Sequence, residues 1–387
     1  MKVILAVDAL HLPLTGIGRY TWEICQVLKN HPAITDARYF SHGQWVANPA
    51  ELLAPTREAG RKSLRQILAG SRIATAAYGA VMPLVMGRRL RHHADFLFHS
   101  PNFFLPPTSG PAVATFHDLS IFDHPEFHPP TRVSFMRRAV PQSLRRTRAL
   151  IADSEFTRQR IIERFDWPQE KVHTVPLGVD TGQFRPRGPD ETADTLNELG
   201  LTRGSYTLCL STIEPRKNLD RLILAYRELP AALRGACPLV IAGDKGWHSE
   251  QTHALLKRSE GEGWLRYLGY LPQNLLPDVL AGCALFVFPS LYEGFGLPVL
   301  EAMASGAPVL ASDISPVREF AGESIRYFQP NETEAISSAL QCALDDAEWR
   351  QSAGYFASQR AKGFAWSRSV HQLIDIYATY APSLGKE

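Results

Sequence analysis

The chain has 387 residues, 45% of them apolar, with 41 Lys and Arg against 39 Asp and Glu and a formal net charge of +2. This balance excludes a chain that is disordered over most of its length and leaves room for two domains of ordinary size, each with its own core. The five cysteines, Cys25, Cys209, Cys237, Cys283 and Cys342, are scattered and odd in number, without Cys-x-x-Cys spacing or histidines at ligand spacing, which points to a reducing cytoplasm and no zinc site.

Val3 to Val7 reads as a first parallel strand, too short for a signal-peptide core and ended by Asp8. After a loop from Asp8 to Gly18, the residues Tyr20, Trp22, Ile24, Val27 and Leu28 recur at the spacing of an amphipathic helix. Thr15-Gly16-Ile17-Gly18-Arg19-Tyr20 looks like a dinucleotide fingerprint, but Thr21 stands at the third glycine position, so it supports NAD only weakly. Gly16 and Gly18 either let the backbone approach a ligand closely or make a turn that packs the helix.

The first half is the basic half: Arg57 to Arg91 holds eight Lys and Arg with one acid, and Arg132 to Arg164 nine Arg with three acids. Basic residues beside apolar patches favour an anionic membrane face, at roughly 1 kcal/mol per residue near the surface. They would also suit nucleic acid, but no motif backs that reading and no nucleic-acid partner is expected. Ile73 to Met86, the longest weakly polar run, is well short of the about 20 residues of a spanning helix, so the chain reads as soluble or peripheral.

Short apolar runs at Phe96 to Phe98, Val113 to Phe116, Leu150 to Ala152 and Val172 to Val175 alternate with helical stretches such as Arg132 to Arg148 and Glu155 to Arg164, the pattern of a doubly wound sheet. Thr115-Phe116-His117-Asp118 ends one of these strands, where His117 is either a satisfied structural residue or part of a site. Past Pro176 to Asp180, the Pro- and Gly-bearing passage Pro186 to Pro189 places a domain boundary near residue 185. The division is residues 1–185, 186–365 and a terminal segment, 366–387.

The second half repeats the logic with strands at Leu208 to Ser211, Leu239 to Ala242, Trp264 to Leu268, Leu285 to Phe288 and Val309 to Ala311. Arg216 and Lys217 follow the first of these and stand at the carboxyl edge of the sheet, as phosphate clamps or as solvated charges. Leu268-Gly269-Tyr270-Leu271-Pro272-Gln273 follows another strand, where Tyr270 is either a binding or a packing residue.

The run Phe286 to Gly306 carries the most information. Leu285 to Phe288 is a buried strand, Pro289 to Gly296 the loop leaving its carboxyl end, and Pro298 the first residue of a helix. The backbone N–H groups of Gly296 and Leu297 then lack helical partners at the positive end of the helix dipole, where a diphosphate fits. Glu301, within about one turn, can accept from ribose hydroxyls, and Glu293 from a hexose. The alternative is an exposed loop acid and a helix-dipole acid. The last pattern, Trp366, Val370, Leu373, Ile374 and Tyr377, is an amphipathic helix long enough to leave the second domain.

Glu293-Gly-Phe-Gly296-Leu-Pro-Val-Leu-Glu301 resembles the Glu-x7-Glu signature of retaining glycosyltransferases of the GT-B fold, family four. The resemblance covers nearly the whole chain, from the Gly16 loop through His117 and Lys217 to Glu301. It implies an α/β fold of two Rossmann-like, doubly wound parallel-sheet domains facing across a cleft, with the C-terminal helix crossing back to the first domain. It implies a glycine loop covering the donor phosphate, His117 near the donor sugar and the reacting carbon, Lys217 on the phosphates, and the backbone around Tyr270 at the base. The family's Arg five residues before the Lys is Thr212 here, and whether Arg216 replaces it stays open. Catalysis would need no metal and no cofactor: no Asp-x-Asp occurs, and preorganised cations and amides would stabilise the leaving diphosphate. Glu293 would orient and stabilise the sugar while the acceptor hydroxyl attacks from the front face.

Thr15 to Tyr20 together with Glu214-Pro-Arg-Lys-Asn218 looks most like bacterial mannosyl- and rhamnosyltransferases of O-antigen and capsule assembly. That implies a GDP-linked donor, a saccharide or lipid-linked acceptor, and a cytoplasmic place at the inner face of the membrane. A UDP-sugar donor, a nucleotide-sugar epimerase of the same fold and a non-catalytic binder are the alternatives.

Overall fold

The computed structural model describes residues 1–54 and 72–382, the stretch 72–80 without its side chains. The basic residues Arg57, Arg61, Lys62 and Arg65 of the first basic stretch lie outside the described residues.

Two sheets organise the chain. The first has seven strands in the order β3-β2-β1-β4-β5-β6-β7: β1 Lys2–Ala6, β2 Asp36–Ser41, β3 Gln44–Val46, β4 Leu97–Ser100, β5 Ala112–Phe116, β6 Ala149–Ala152 and β7 Val172–Thr174. Its neighbours are parallel except the antiparallel β2–β3 edge. The second has six parallel strands in the order β10-β9-β8-β11-β12-β13: β8 Thr207–Leu210, β9 Leu239–Ala242, β10 Leu265–Tyr267, β11 Leu285–Phe288, β12 Val309–Ser312 and β13 Arg326–Phe328. Strands such as β5, β6, β9 and β11 are buried at every residue, because helices cover both faces of a parallel sheet.

Both sheets reverse their strand order once, between β1 and β4 in the first and between β8 and β11 in the second. Ligands of open α/β sheets bind outside the carboxyl ends of the strands at such a point. The segments leaving β1, β4, β8 and β11 therefore define where to look, and they carry Arg19, Pro101, Arg216 with Lys217, and Glu293 respectively.

The expected strands are present with ends moved by a residue or two. Strands β2, β3 and β13 were not anticipated: β2 mixes Asp36, Arg38 and Ser41 with its apolar residues and is only half-buried, and β13 is three residues long. Helix α1 (Gly16–Leu28) begins earlier than the expected loop allowed, because the Thr15 side chain accepts from the N–H of Gly18 (3.1 Å) and caps it. Gly16 and Gly18 thus lie in the first turn of a helix. Likewise the helix after β11, Leu297–Ala304, starts one residue before Pro298.

Each sheet keeps a core of its own on one face, Phe98, Phe116 and Leu150 in the first and Leu239, Val287 and Ile336 in the second. The opposite faces merge into one continuous apolar cluster, running from Val3 and Tyr20 through Val179 and Phe184 to Phe286 and Val299. The C-terminal helix, Trp366–Tyr380, belongs to it: Trp366, Val370, Leu373, Ile374 and Tyr377 are all buried. That helix packs on α1, and Tyr377 Oη bonds His99 Nδ1 on β4 at 2.5 Å, so the chain does return to the first domain.

Candidate active site

Glu293 stands on the loop leaving β11 and is 8% exposed. Its Oε2 accepts from Arg216 Nη1 (2.7 Å) and its Oε1 from Lys217 Nζ (2.5 Å). Arg216 also holds Glu214 through Nε (2.7 Å). The segment of Arg216 and Lys217 is locked to the Glu293 loop by Asn218, which adopts φ +58 and donates through Nδ2 to the carbonyls of Pro289 (3.1 Å) and Pro330 (2.8 Å). Burial pushes the Glu293 carboxyl up, but Arg216 and Lys217 outweigh it and hold the pKa at about 2. Two cations and two carboxylates thus form a preorganised cluster at the carboxyl edge of the second sheet.

Next to it, Gly296 has φ +110, a conformation that favours glycine, and turns the chain into the helix Leu297–Ala304. Pro298 has no N–H and the Val299 N–H turns back to the Gly296 carbonyl (2.9 Å), so the N–H groups left at the positive end of the dipole are those of Gly296 and Leu297. Glu301, 6% exposed, lies one turn on. Its carboxylate is not free: Oε1 accepts from Arg19 Nη1 of the first domain at 2.5 Å. The Gln273 amide lies against the same guanidinium, and with its oxygen turned toward Arg19 it accepts from Nε (2.9 Å) and Nη2. Burial raises the Glu301 pKa more than Arg19 lowers it.

His117 leaves the end of β5 with both ring nitrogens engaged by acceptors, Nδ1 with Asp153 Oδ2 (2.7 Å) and Nε2 with the carbonyl of Pro101 (2.9 Å). Both nitrogens therefore carry protons. Burial lowers its pKa, but Asp153 and the Pro101 carbonyl raise it further, so the net shift is upward, toward the protonated ring, while burial raises Asp153 as well. In this arrangement the His117 ring is tied on both sides within the first domain; the part of the residue that faces the second domain is its backbone. A Cβ on Gly294 would come within 1.6 Å of the His117 carbonyl oxygen, so only glycine permits this approach.

The domains meet along that line. Ser154 Oγ donates to the Gly294 carbonyl (2.6 Å), and Glu319 accepts from the N–H groups of Glu155 and Phe156, both at 2.7 Å, at the start of helix Glu155–Phe165. Tyr292 Oη donates to Asp123 (3.0 Å) and Trp247 Nε1 to the carbonyl of Phe127 (2.7 Å).

Of the residues singled out from the sequence, Arg216, Lys217, Glu293, Gly296 and Leu297 come together on one edge, with Glu301 one turn further and His117 opposite. Gly16 faces open space, where an added Cβ would meet nothing within 4 Å; Gly18 instead packs, with Leu14 Cδ1 at 2.7 Å and Ala9 O at 2.8 Å from such a Cβ. Tyr270 stands 46% exposed on the loop after β10. Sequence reasoning passed over Arg19, Gln273, Glu214 and Asp153 as site residues. Asp153 follows β6, and its place at a strand's carboxyl end was a usable signal; Arg19 and Glu301 are 282 positions apart, and no local pattern joins them. Among the described residues no cluster of three or more His, Cys, Asp or Glu could hold a metal ion.

The two Rossmann-like sheets define a GT-B architecture, and comparison with known proteins agrees. Two family models match, "Glycosyltransferase Family 4" over residues 15–183 and "Glycosyl transferases group 1" over residues 197–360. The O-antigen chain mannosyltransferase B of Escherichia coli is 36% identical over 379 residues, 97% of this chain and 99% of that one. The serotype-specific mannosyltransferase WbdA of E. coli is 34% identical over 235 residues, 59% of this chain and 28% of its own length. Among solved structures, WaaG, a glycosyltransferase involved in lipopolysaccharide biosynthesis, superposes with TM-score 0.73 at 16% identity over 97% of this chain and 99% of its own. Anabaena HepE in complex with UDP and glucose does so with TM-score 0.71 at 18% identity over 98% and 100%. These structures establish the shared fold. The chain belongs to the group 1, family four glycosyltransferases.

Proposed function

We propose that this enzyme is a retaining, metal-independent mannosyltransferase that moves mannose from a GDP-linked donor to a lipid-linked saccharide in bacterial surface polysaccharide assembly. The observation that carries this reading is the buried Glu293–Arg216–Lys217 cluster beside the N–H groups of Gly296 and Leu297. The choice of mannose over rhamnose rests on the names of the E. coli relatives. Residues 1–185 form the acceptor side, 186–365 the donor side, and the helix Trp366–Tyr380 the returning segment, the last residues of the 366–387 division lying outside the described ones.

In the reaction, Arg216, Lys217 and the two N–H groups take the charge that develops on the leaving diphosphate. Glu293, ionised at any physiological pH, orients the sugar and stabilises positive charge at its anomeric carbon. The acceptor hydroxyl attacks from the face that the diphosphate leaves. Its oxygen bonds the anomeric carbon as the bond to the phosphate oxygen breaks, and its proton passes to that phosphate oxygen. His117, its ring fixed by Asp153 and the Pro101 carbonyl, presents a backbone carbonyl at the closed edge of the cleft. Gly294 meets His117 directly and sets how near the domains approach along this edge, where they would close over the donor.

The acceptor side offers a route to a membrane, and no helix among the described residues is long and apolar enough to cross one. Helix Arg72–Leu90 exposes Val81, Leu84 and Val85 beside Arg88 and Arg89. It packs through Gly87 on Pro107, near exposed Phe104 and Phe135, whose rings lie 5.4 Å apart beside Arg137 and Arg138. This combination suits a peripheral stay on anionic lipid at the inner face of the cytoplasmic membrane.

Calorimetric titration with GDP and with UDP in excess EDTA tests the donor. Binding of GDP with clear preference over UDP supports the reading; UDP preference replaces the donor class, and absence of both overturns the assignment.

A further inference from the structure

The Arg19–Glu301 contact conflicts with the role given to Glu301, and the conflict is informative. If Glu301 receives ribose hydroxyls and the loop through Gln273 receives the base, the nucleoside lies where the Arg19 guanidinium now lies. That guanidinium reaches from α1 across the cleft to Glu301 and Gln273, both on the second domain, and Arg19 is 7% exposed. It sits in the first turn of α1, a turn that carries no acidic residue. A cation there is opposed by the dipole of its own helix; Glu23, one turn on, offsets part of this, and Glu301 across the cleft supplies the direct partner.

We propose that Arg19 is a donor-positioning residue that changes partner: it holds Glu301 and Gln273 until the nucleotide enters, then releases them to the nucleoside and turns its guanidinium to the diphosphate. This rests on the glycosyltransferase reading of the cleft. The exchange conserves pairing on both sides. Glu301, buried and left without its cation, gains neutral hydroxyl donors, while Arg19 exchanges one carboxylate for a phosphate that its forked donors match equally well. The distance is short: the N–H groups that face the diphosphate lie at Leu297, four residues from Glu301, about 6 Å along the helix at 1.5 Å per residue. An arginine side chain covers that span by changing rotamers. Gly16, one turn before Arg19, leaves open space beside the helix, where an added Cβ would meet nothing within 4 Å.

The exchange makes a prediction of opposite signs. A nucleoside alone must expel Arg19 and offers it nothing in return, whereas a nucleoside diphosphate does both. Calorimetry of the wild-type protein and Arg19→Ala with guanosine and GDP, and with uridine and UDP, reads the difference. Arg19→Ala should bind the nucleoside more tightly and the diphosphate more weakly, so that the ratio of the two affinities falls about tenfold or more, the worth of one charge-assisted bond. Arg19→Gln, close in length and neutral, provides the same readout should the alanine variant fail to fold. Equal weakening of nucleoside and diphosphate, or an unchanged ratio, would overturn the exchange and leave Arg19 a staple between domains. If the wild-type protein binds neither diphosphate, the glycosyltransferase reading fails first and the exchange with it.

Discussion

Glu293 and Glu301 lie on one short stretch, are equally buried, and are opposites in electrostatics. Glu293 is paired by two cations from its own domain and is held at about 2, while Glu301 is paired by one cation from the other domain and is pushed above the ordinary carboxylate range by burial. Burial alone decides neither; the number and origin of the partners do. A carboxylate whose counter-charges come from its own sheet is preorganised whether the cleft is open or closed. One whose counter-charge crosses the cleft reports on closure.

The largest way to test this contrast is at Glu293 itself. Glu293→Gln keeps the shape and removes the charge, and transfer should fall about 100- to 1,000-fold, the scale of a lost transition-state electrostatic contact. GDP binding, carried by Arg216, Lys217 and the helix N–H groups, should survive. Kinetics and calorimetry on the same preparation check both, and unchanged transfer would remove Glu293 from the mechanism.

Next comes closure. In Gly294→Ala the new methyl would lie on the His117 carbonyl oxygen, so the domains must stand apart. Overpacking of this kind costs about 1–3 kcal/mol, and kcat/KM should fall about tenfold or more. The Glu293 cluster should persist while the Arg19–Glu301 pair is lost, which small-angle scattering together with nucleoside titration would register.

A third test separates the two acids by pH. An unfolded Glu titrates near about 4.3. The folded value of Glu293 lies below that, so its pairing stabilises the fold above the unfolded value and is lost as pH falls through the folded one. The folded value of Glu301 is raised, so ionisation costs stability as pH rises and protonation restores it. Urea melts from about pH 3 to 7 should therefore show the gap between wild type and Glu293→Gln narrowing on acidification, with the Glu301→Gln gap moving in the opposite sense. Movement of both gaps in the same sense would break the contrast.

The smallest effect on either acid should come from Leu84→Glu with Phe135→Glu, on the exposed apolar and basic face. Surface changes of this type shift stability by about 0.5 kcal/mol or less. Flotation with anionic liposomes should drop sharply while transfer to a water-soluble acceptor is kept, and no preference for anionic over neutral lipid in the wild type would count against the membrane contact.

How much of this was legible in the sequence depends on range. Strand β11, its exit loop and Glu293 are local, and apolar runs bounded by Gly and Pro placed them to the residue. The pairing of Arg216 and Lys217 with Glu293 was half legible, since strand-end logic set all three on one edge as phosphate and sugar ligands but did not join the two cations to the carboxylate, which both of them hold. Gly16 and Gly18 read as a loop because the capping by Thr15 was overlooked. Strand β2 was lost because an edge position lets charged residues interrupt its apolar pattern. Arg19 stood within a quoted motif, yet its partner is on the other domain, and only the tertiary fold joins them.

The most direct test of the central claim is the anomeric configuration of the product formed from a GDP-linked donor in excess EDTA, followed by NMR. Retention of the donor's configuration, with turnover undiminished by the chelator, is the result this account predicts. An inverted product, or transfer that stops when metal is removed, would contradict it.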